Sequence, residues 1–301
     1  MKAALIGLGS MGKNHYNAAQ DSENVELVAA VDCDKNNLKN INCNAYTDVD
    51  EMLSKEDVDF VIVATPTSTH SKIAKKILCS GKHLFIEKPI AYNAIEAQEI
   101  VQLALENNCK GAVGHIERFN PAMQAVLPSL EGEEVIHCSA SRVSPFPKRI
   151  ADVGVKMDLG IHDMDLLNLI MQTQSGTVKS CRSVQNSTVH DQEDTSLYMI
   201  KYSNGATASI LSSWMMPFQE RMIKIIAKSC YYEIDLLNLK VNRFRHLENK
   251  SYVVEPMFVR REDALRKQLN SFANYIKTDK IGYLCSLQDG LTALHHITQG
   301  D

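Results

Sequence analysis

The feature that most constrains this chain is its opening. Lys2-Ala-Ala-Leu-Ile6, an apolar run of strand length, leads directly into Gly7-Leu8-Gly9-Ser10-Met11-Gly12, and helix-like spacing follows. Between a strand and a helix, each glycine of such a loop has its own task. The first permits a tight turn, the second lets backbone approach a pyrophosphate, and the third lets helix and strand pack closely. The phosphates then face the helix N-terminus, where free N–H groups and the dipole favour an anion. Asp32 stands about twenty residues on, at the end of a second apolar run, where an acid accepts hydrogen bonds from the adenosine ribose. A carboxylate there repels a 2′-phosphate, and Cys33 and Asp34 bring no arginine to neutralise one, so NAD is expected rather than NADP. The plainer alternative is a glycine-rich turn beside an ordinary strand-end Asp.

The alternation begun there continues. Lys2–Ile6, Val25–Val31, Val58–Ala64, His83–Ile86 and Ala112–Gly114 read as strands, the central ones apolar on both faces. Gly12–Gln20, Val49–Leu53, Ser71–Cys79 and Ala94–Asn107 carry helical spacing. The fold class expected is therefore α/β, with an N-terminal Rossmann domain, a doubly wound parallel sheet, over residues 1–118. After Pro121 the rhythm changes to alternating strands: Val135–Val143, Val178–Val184, Ser196–Tyr202, Ala206–Trp214, Met222–Ala227, Tyr232–Leu236 and Leu239–Arg245. One long helix, Asp158 to about Gln172, interrupts them, and Glu262–Lys277 and Leu287–Ile297 read as closing helices. Residues 119–301 are thus expected to form a C-terminal α/β domain around a largely antiparallel sheet, with Asn204-Gly205 as a type I′ hairpin turn.

Composition narrows the class further. A length of 301 residues, 45% hydrophobic and 23% charged, suits two globular domains and excludes disorder, collagen and coiled coil. The net charge of −4 gives no basic field for nucleic acid or an anionic membrane, so an anionic ligand needs a local cluster of cations. The most hydrophobic segment, Phe60–Ala64, is strand-sized, and no membrane span is expected. The glycine-interrupted N-terminus makes a poor signal peptide. Eight scattered cysteines without a CxxC pair fit reduced thiols, and a cytoplasmic location is expected.

Two segments carry candidate chemistry. Glu87-Lys88-Pro89 follows the strand His83–Ile86, which puts Lys88 at the carboxyl edge of the parallel sheet, where ligands bind; a solvated loop lysine is the alternative. Asp158-Leu-Gly-Ile-His162-Asp-Met-Asp165 opens the long helix, and Asp158, His162 and Asp165 are spaced to share one face. His162 is the natural proton acceptor, since imidazole exchanges protons near neutral pH. A helix-capping role for Asp158 and a metal site remain as alternatives; with no second ligand cluster in the sequence, no metal is expected.

With Pro66-Thr-Ser-Thr-His70 added, these motifs come in the order of the Gfo/Idh/MocA oxidoreductases, which the chain resembles along nearly its whole length. The resemblance implies a catalytic set of Lys88, Asp158 and His162, and a cofactor cleft lined by Gly7, Gly9, Ser10, Met11, Gly12, Asp32, Thr65, Pro66, His70, Glu87 and Lys88. For His70, a plain helix-start histidine is the alternative. The resemblance also implies a homo-oligomer formed through the C-terminal sheet. Gly114-His115-Ile-Glu-Arg118-Phe-Asn120-Pro121, Arg142-Val143 and Arg149-Ile-Ala-Asp152-Val-Gly154 resemble the subgroup that oxidises the 3-hydroxyl of UDP-N-acetylated sugars. His115, Arg118, Asn120, Arg142, Arg149 and His162 are accordingly expected to bind substrate. Arg142, Lys148 and Arg149 would supply the cations a diphosphate needs, unless they form only a solvated basic loop. Trp214 could stack on the ligand or belong to the core. A dehydrogenase of free sugars or inositol needs the same catalytic residues without the diphosphate site, and a non-catalytic dinucleotide sensor needs neither.

Overall fold

The computed structural model describes residues 1–147, 153–172, 176–188, 192–247 and 251–299. Two compact units emerge, Met1–Phe119 with Asp263–Leu294, and Asn120–Glu262 with the chain from His295 onward.

In the first unit, strands β1 (Lys2–Ile6), β2 (Glu26–Val31), β3 (Asn44–Tyr46), β4 (Phe60–Val63), β5 (His83–Ile86) and β6 (Gly111–Val113) pair in parallel in the order β6-β5-β4-β1-β2-β3. This is the doubly wound order, with its reversal between β1 and β4. Helices α1 (Ser10–Gln20), α2 (Val49–Lys55), α3 (His70–Cys79) and α4 (Ala94–Glu106) follow β1, β3, β4 and β5. Every residue of β4 is fully buried, as expected of a strand covered on both faces. Asp48 and Asn93 cap α2 and α4, their side chains accepting from the amides of Glu51 and Glu96.

In the second unit, α5 (Pro121–Val126) precedes β7 (Val135–Pro145). A five-residue π-turn, Lys156–Gly160, runs into α6 (Ile161–Gln172). Strands β8 (Val178–Asn186), β9 (Thr195–Tyr202), β10 (Thr207–Ser213), β11 (Met215–Ala227), β12 (Cys230–Asp235), β13 (Lys240–His246) and β14 (Tyr252–Pro256) complete a sheet ordered β14-β13-β12-β11-β7-β10-β9-β8. Among the described residues its pairings are antiparallel except β7 with β10. The β9–β10 connection differs from the expected two-residue turn. Gly205 alone takes a positive φ, +92°, and its amide donates to Tyr202, giving a three-residue loop with one left-handed position.

The expected continuous second domain, 119–301, is not what the contacts outline. Helix α7 (Ala264–Thr278) buries a stripe of Leu265, Leu269, Phe272 and Ala273 in the core of the first unit, where Phe272 meets Phe60 and Phe85 edge-on. The Lys110 ammonium donates to the last-turn carbonyls of Tyr275 and Ile276. The short strand β15 (Cys285–Ser286) then pairs antiparallel with β6 ahead of α8 (Leu287–Thr298). No helix among the described residues is long and apolar enough to cross a membrane.

The end of α8 gives the second unit a pH-sensitive contact. His296 accepts a hydrogen bond from Asn168 of α6, and burial, aided by neighbouring His295, pushes its pKa down to about 4. A histidine with a depressed pKa stabilises the fold fully above its ordinary value near 6.5, and that contribution is lost as pH falls through 4. Acidification from pH 7 to 4.5 should therefore lower the Tm, with His296 accounting for about 1–2 kcal/mol after allowance for its partial exposure. In His296→Leu the Tm difference between the two pH values should shrink by a few degrees; an unchanged difference would remove His296 from the acid response.

Candidate active site

The first unit gathers its candidate residues at the carboxyl ends of β1, β2, β4 and β5. Gly7 holds a φ of +91°, and a side chain at Gly12 would collide with the Gly7 carbonyl, so the first and third glycines make the turn and the close helix packing. Around Gly9 nothing lies within 4 Å of an added Cβ, which leaves that backbone open to a ligand. Ser10 and Met11 are exposed at the start of α1, whose N-cap, Gly9, makes no side-chain cap bond and whose first turn has no acid. Its leading amides can hold a pyrophosphate. The half-buried Asp32 accepts from the amides of Leu8 at 2.7 Å and Asp34 at 2.8 Å. Those bonds aim its carboxylate, which keeps lone pairs for ribose hydroxyls. The cradle fits NAD. Asp32→Ser should weaken NAD binding about tenfold to a hundredfold, the scale of a hydrogen bond to a charged group, and narrow the preference over NADP. Equal affinity of the unmodified protein for both cofactors would contradict this role.

Two residues expected to line the cofactor cleft are buried and hydrogen-bonded to the turns beside it. His70, at the start of α3, is buried, its Nδ1 2.9 Å from the Pro89 carbonyl and its Nε2 2.9 Å from the Thr65 carbonyl. It ties the turn after β4, with Thr65 and the exposed Pro66, to the cis Lys88-Pro89 turn after β5. Burial pushes its pKa below the ordinary value, against the pull of both carbonyls. Glu87 is likewise enclosed. Its Oε1 accepts from His15 Nε2 at 2.6 Å, its Oε2 accepts from the Lys88 amide at 3.1 Å, and its carboxyl fills the space a side chain at Gly114 would need. Burial alone would raise the Glu87 pKa, but the His15 hydrogen bond and charge, with Lys88, hold it below the usual range. His15, fully buried on α1 and edge-on to Phe85, is a functional candidate the sequence reading missed. Its only signal is its place three residues after Gly12 in the phosphate-binding helix.

The second unit carries Asp158 and His162, both half-buried. Asp158 lies inside the π-turn, whose N-cap is Val155, so it does not cap the helix. Asp165, three residues after His162 in the same helix, is buried, as is Asp163. A π-turn interrupting an α-helix is a recurrent feature of functional sites.

The expected substrate ligands fare less uniformly. Arg142 is buried, and its guanidinium grips Asp163, Nε donating to Oδ2 at 3.0 Å and Nη2 to Oδ1 at 2.8 Å. A diphosphate would have to displace that carboxylate. Arg118, also buried, donates to the Leu284 carbonyl at 2.9 Å and approaches Asp289 at 3.4 Å. Asn120 caps α5 and donates to the Leu236 carbonyl, while His115 is sealed from solvent. Arg142, Arg118 and Asn120 thus each bond to a residue of their own unit. Arg149, with Lys148, lies outside the described residues. Trp214 is a core residue, buried beside Val155 and edge-on to Phe146.

Known proteins share this arrangement. Residues 1–115 match the oxidoreductase family with an NAD-binding Rossmann fold, and residues 133–232 match the GFO/IDH/MocA C-terminal domain. UDP-N-acetylglucosamine 3-dehydrogenase of Acidithiobacillus ferrooxidans is 30% identical over 289 residues, covering 92% of this chain and 88% of that protein. Its solved structure superposes with a TM-score of 0.90, covering 99% of this chain and 96% of that one. Inositol 2-dehydrogenase of Rhizobium meliloti is 27% identical over 61% of this chain and 59% of its own length. The WlbA dehydrogenase of Bordetella pertussis, solved with NADH and UDP-GlcNAcA, shares the fold at a TM-score of 0.84 and 18% identity, covering 100% of this chain and 95% of that one. With a cradle that fits NAD in one unit and the half-buried Asp158 and His162 in the other, the chain belongs to the Gfo/Idh/MocA family and is an NAD-dependent dehydrogenase acting on CH–OH groups.

Proposed function

We propose that the protein oxidises the 3-hydroxyl of a UDP-N-acetylated sugar such as UDP-N-acetylglucosamine. The observation that carries this reading is the likeness, along 92% of the chain, to a dehydrogenase of that sugar. In this reading His162 takes the hydroxyl proton, Asp158 orients its imidazole, and Lys88 hydrogen-bonds the same oxygen and stabilises developing alkoxide charge. NAD, when bound, accepts the hydride from the same carbon. His15 and Glu87 hold the backbone of Lys88, and His70 holds the turns on either side.

A second reading, oxidation of a free sugar or inositol, is favoured by one specific observation: Arg142 is committed to Asp163 rather than free for a diphosphate. Arg149 would then be the remaining arginine of the expected pair. The test is NADH formation over a panel of UDP-sugars, free sugars and inositols, with 2-oxoglutarate included to reveal cofactor that is retained and recycled. Turnover of glucose or inositol as efficient as that of UDP-N-acetylglucosamine would decide for the second reading.

The protein is proposed to assemble with copies of itself through the second sheet, whose outer face exposes Leu197, Met199, Val184 and Ile226. Light scattering that reports a monomer would reject this. Its eight free thiols suit the expected cytoplasmic location.

A further inference from the structure

The inner face of the second sheet changes character at one end. Along β7, β10, β9 and β11 the inward residues are apolar or aromatic: Cys138 and Ala140, Ala208 and Ile210, Tyr198 and Ile200, Ile223 and Ile225. The next row is polar. Arg142 pairs in register with Ser212 on one side and Arg221 on the other, and Ser212 pairs with Ser196. The junction between the turn that carries Asp158 and the helix that carries His162 sits on this row. Gly160 packs against Ser212, an added Cβ coming within 3.2 Å of its Oγ, and Asp163 meets the Arg142 guanidinium.

A buried ion pair of this kind seldom adds stability over apolar residues of equal size; its best-attested use is to fix register. Register is what this segment needs fixed. The backbone passes from π-turn to α-helix between Gly160 and Ile161, so the direction of His162 depends on where the extra residue of the π-turn sits. Each one-residue slip rotates the side chains it passes by about 100°, the angle per residue of an α-helix. That would swing His162 away from its direction. Asp163 is the next residue, and the planar fork of Arg142 contacts both its carboxylate oxygens, which fixes rotation as a single-point contact does not.

We propose that Arg142 and Asp163 form a register lock, a positioning pair that holds the π-to-α junction so that His162 keeps its direction. The lock rests on the reading in which His162 takes the substrate proton, and it gives Arg142 a role other than diphosphate binding.

The test compares Arg142→Lys, which keeps the charge and loses the fork, with the double variant Arg142→Met, Asp163→Leu, which removes both charges. Each is assayed with UDP-N-acetylglucosamine and NAD, or with the panel substrate the unmodified protein does oxidise. Both variants should bind NADH normally and lose about tenfold to a hundredfold in kcat, the scale of a small misplacement of a reacting group. KM should stay within about twofold, and the acid limb of the kcat/KM profile should move. Added to His162→Ala, neither variant should lower the residual rate further. A raised KM with kcat retained would make Arg142 a substrate ligand and overturn the lock. Unchanged kinetics, or a full additional loss in the His162→Ala background, would overturn it too. If the double variant does not fold, Arg142→Lys decides alone. Normal turnover by His162→Ala itself would reject the proton-transfer reading, a failure distinct from those of the lock.

Discussion

Replacing His162 with alanine is expected to lower kcat by about a hundredfold to ten-thousandfold, the range for removing a positioned acid–base group, while the Kd for NADH stays within about twofold. The two effects separate because the residues that fit the dinucleotide, Gly7, Gly9, Gly12 and Asp32, belong to the first unit, and His162 belongs to the second. An alcohol bearing a hydride donor carbon must lose its hydroxyl proton as the hydride departs, and a half-buried imidazole can receive it at neutral pH. The kcat/KM profile of the unmodified enzyme should then fall on the acid side, where the imidazole is protonated, and His162→Ala should flatten that limb. Lys88→Ala should cost a comparable factor through lost stabilisation of alkoxide charge. Near-normal turnover in either variant would take that residue out of the chemistry. Asp158→Asn should cost less than His162→Ala, because an amide can still accept one hydrogen bond from the ring.

The first unit was legible in the sequence because its signals are local. An apolar run, a glycine loop and a helical spacing each occupy a few consecutive residues, and the strand His83–Ile86 has the same bounds in both readings. The three glycines divide their work as the spacing implies, since steric demands at Gly7 and Gly12 are set by the loop itself. What could not be read is what depends on distant partners. His15 and Glu87 lie 72 residues apart, and nothing local marks them as a pair. Arg142 read as part of a basic segment because charge is visible in a sequence and burial is not. The return of α7 to the first unit follows from an apolar stripe whose period was read correctly as a helix, but period does not say which core it enters. Strand β3, only three residues and largely exposed, has no pattern to detect. The π-turn eluded detection because i→i+4 and i→i+5 backbones accept the same residues, and its end lies between Asp158 and His162, whose spacing was read as that of a plain α-helix.

The same buried pair sets the second large effect. His15→Leu is expected to destabilise the protein by about 3–5 kcal/mol, the cost of leaving the Glu87 carboxylate buried without its partner. The buried Glu87 carboxylate would lose the bond from His15 and keep that from the Lys88 amide, in a space packed against Gly114. Protonation of Glu87 is the cheapest relief. The sign of the pH dependence follows: in the unmodified protein its depressed pKa adds stability that is present above the ordinary carboxyl range and lost as pH falls through the folded value. In His15→Leu that gain should vanish, so the variant's deficit should be largest at neutral pH and shrink below about pH 4, near the ordinary carboxyl pKa. Glu87→Gln, which keeps a hydrogen-bond acceptor for His15 and sheds the charge, should cost less, about 1–3 kcal/mol. Denaturant titration of the three proteins at pH 7 and pH 4 gives the comparison. A His15→Leu deficit independent of pH would mean that the ring serves only as packing against Phe85, and the account of Glu87 as a paired carboxylate that steadies the Lys88 backbone would fall with it.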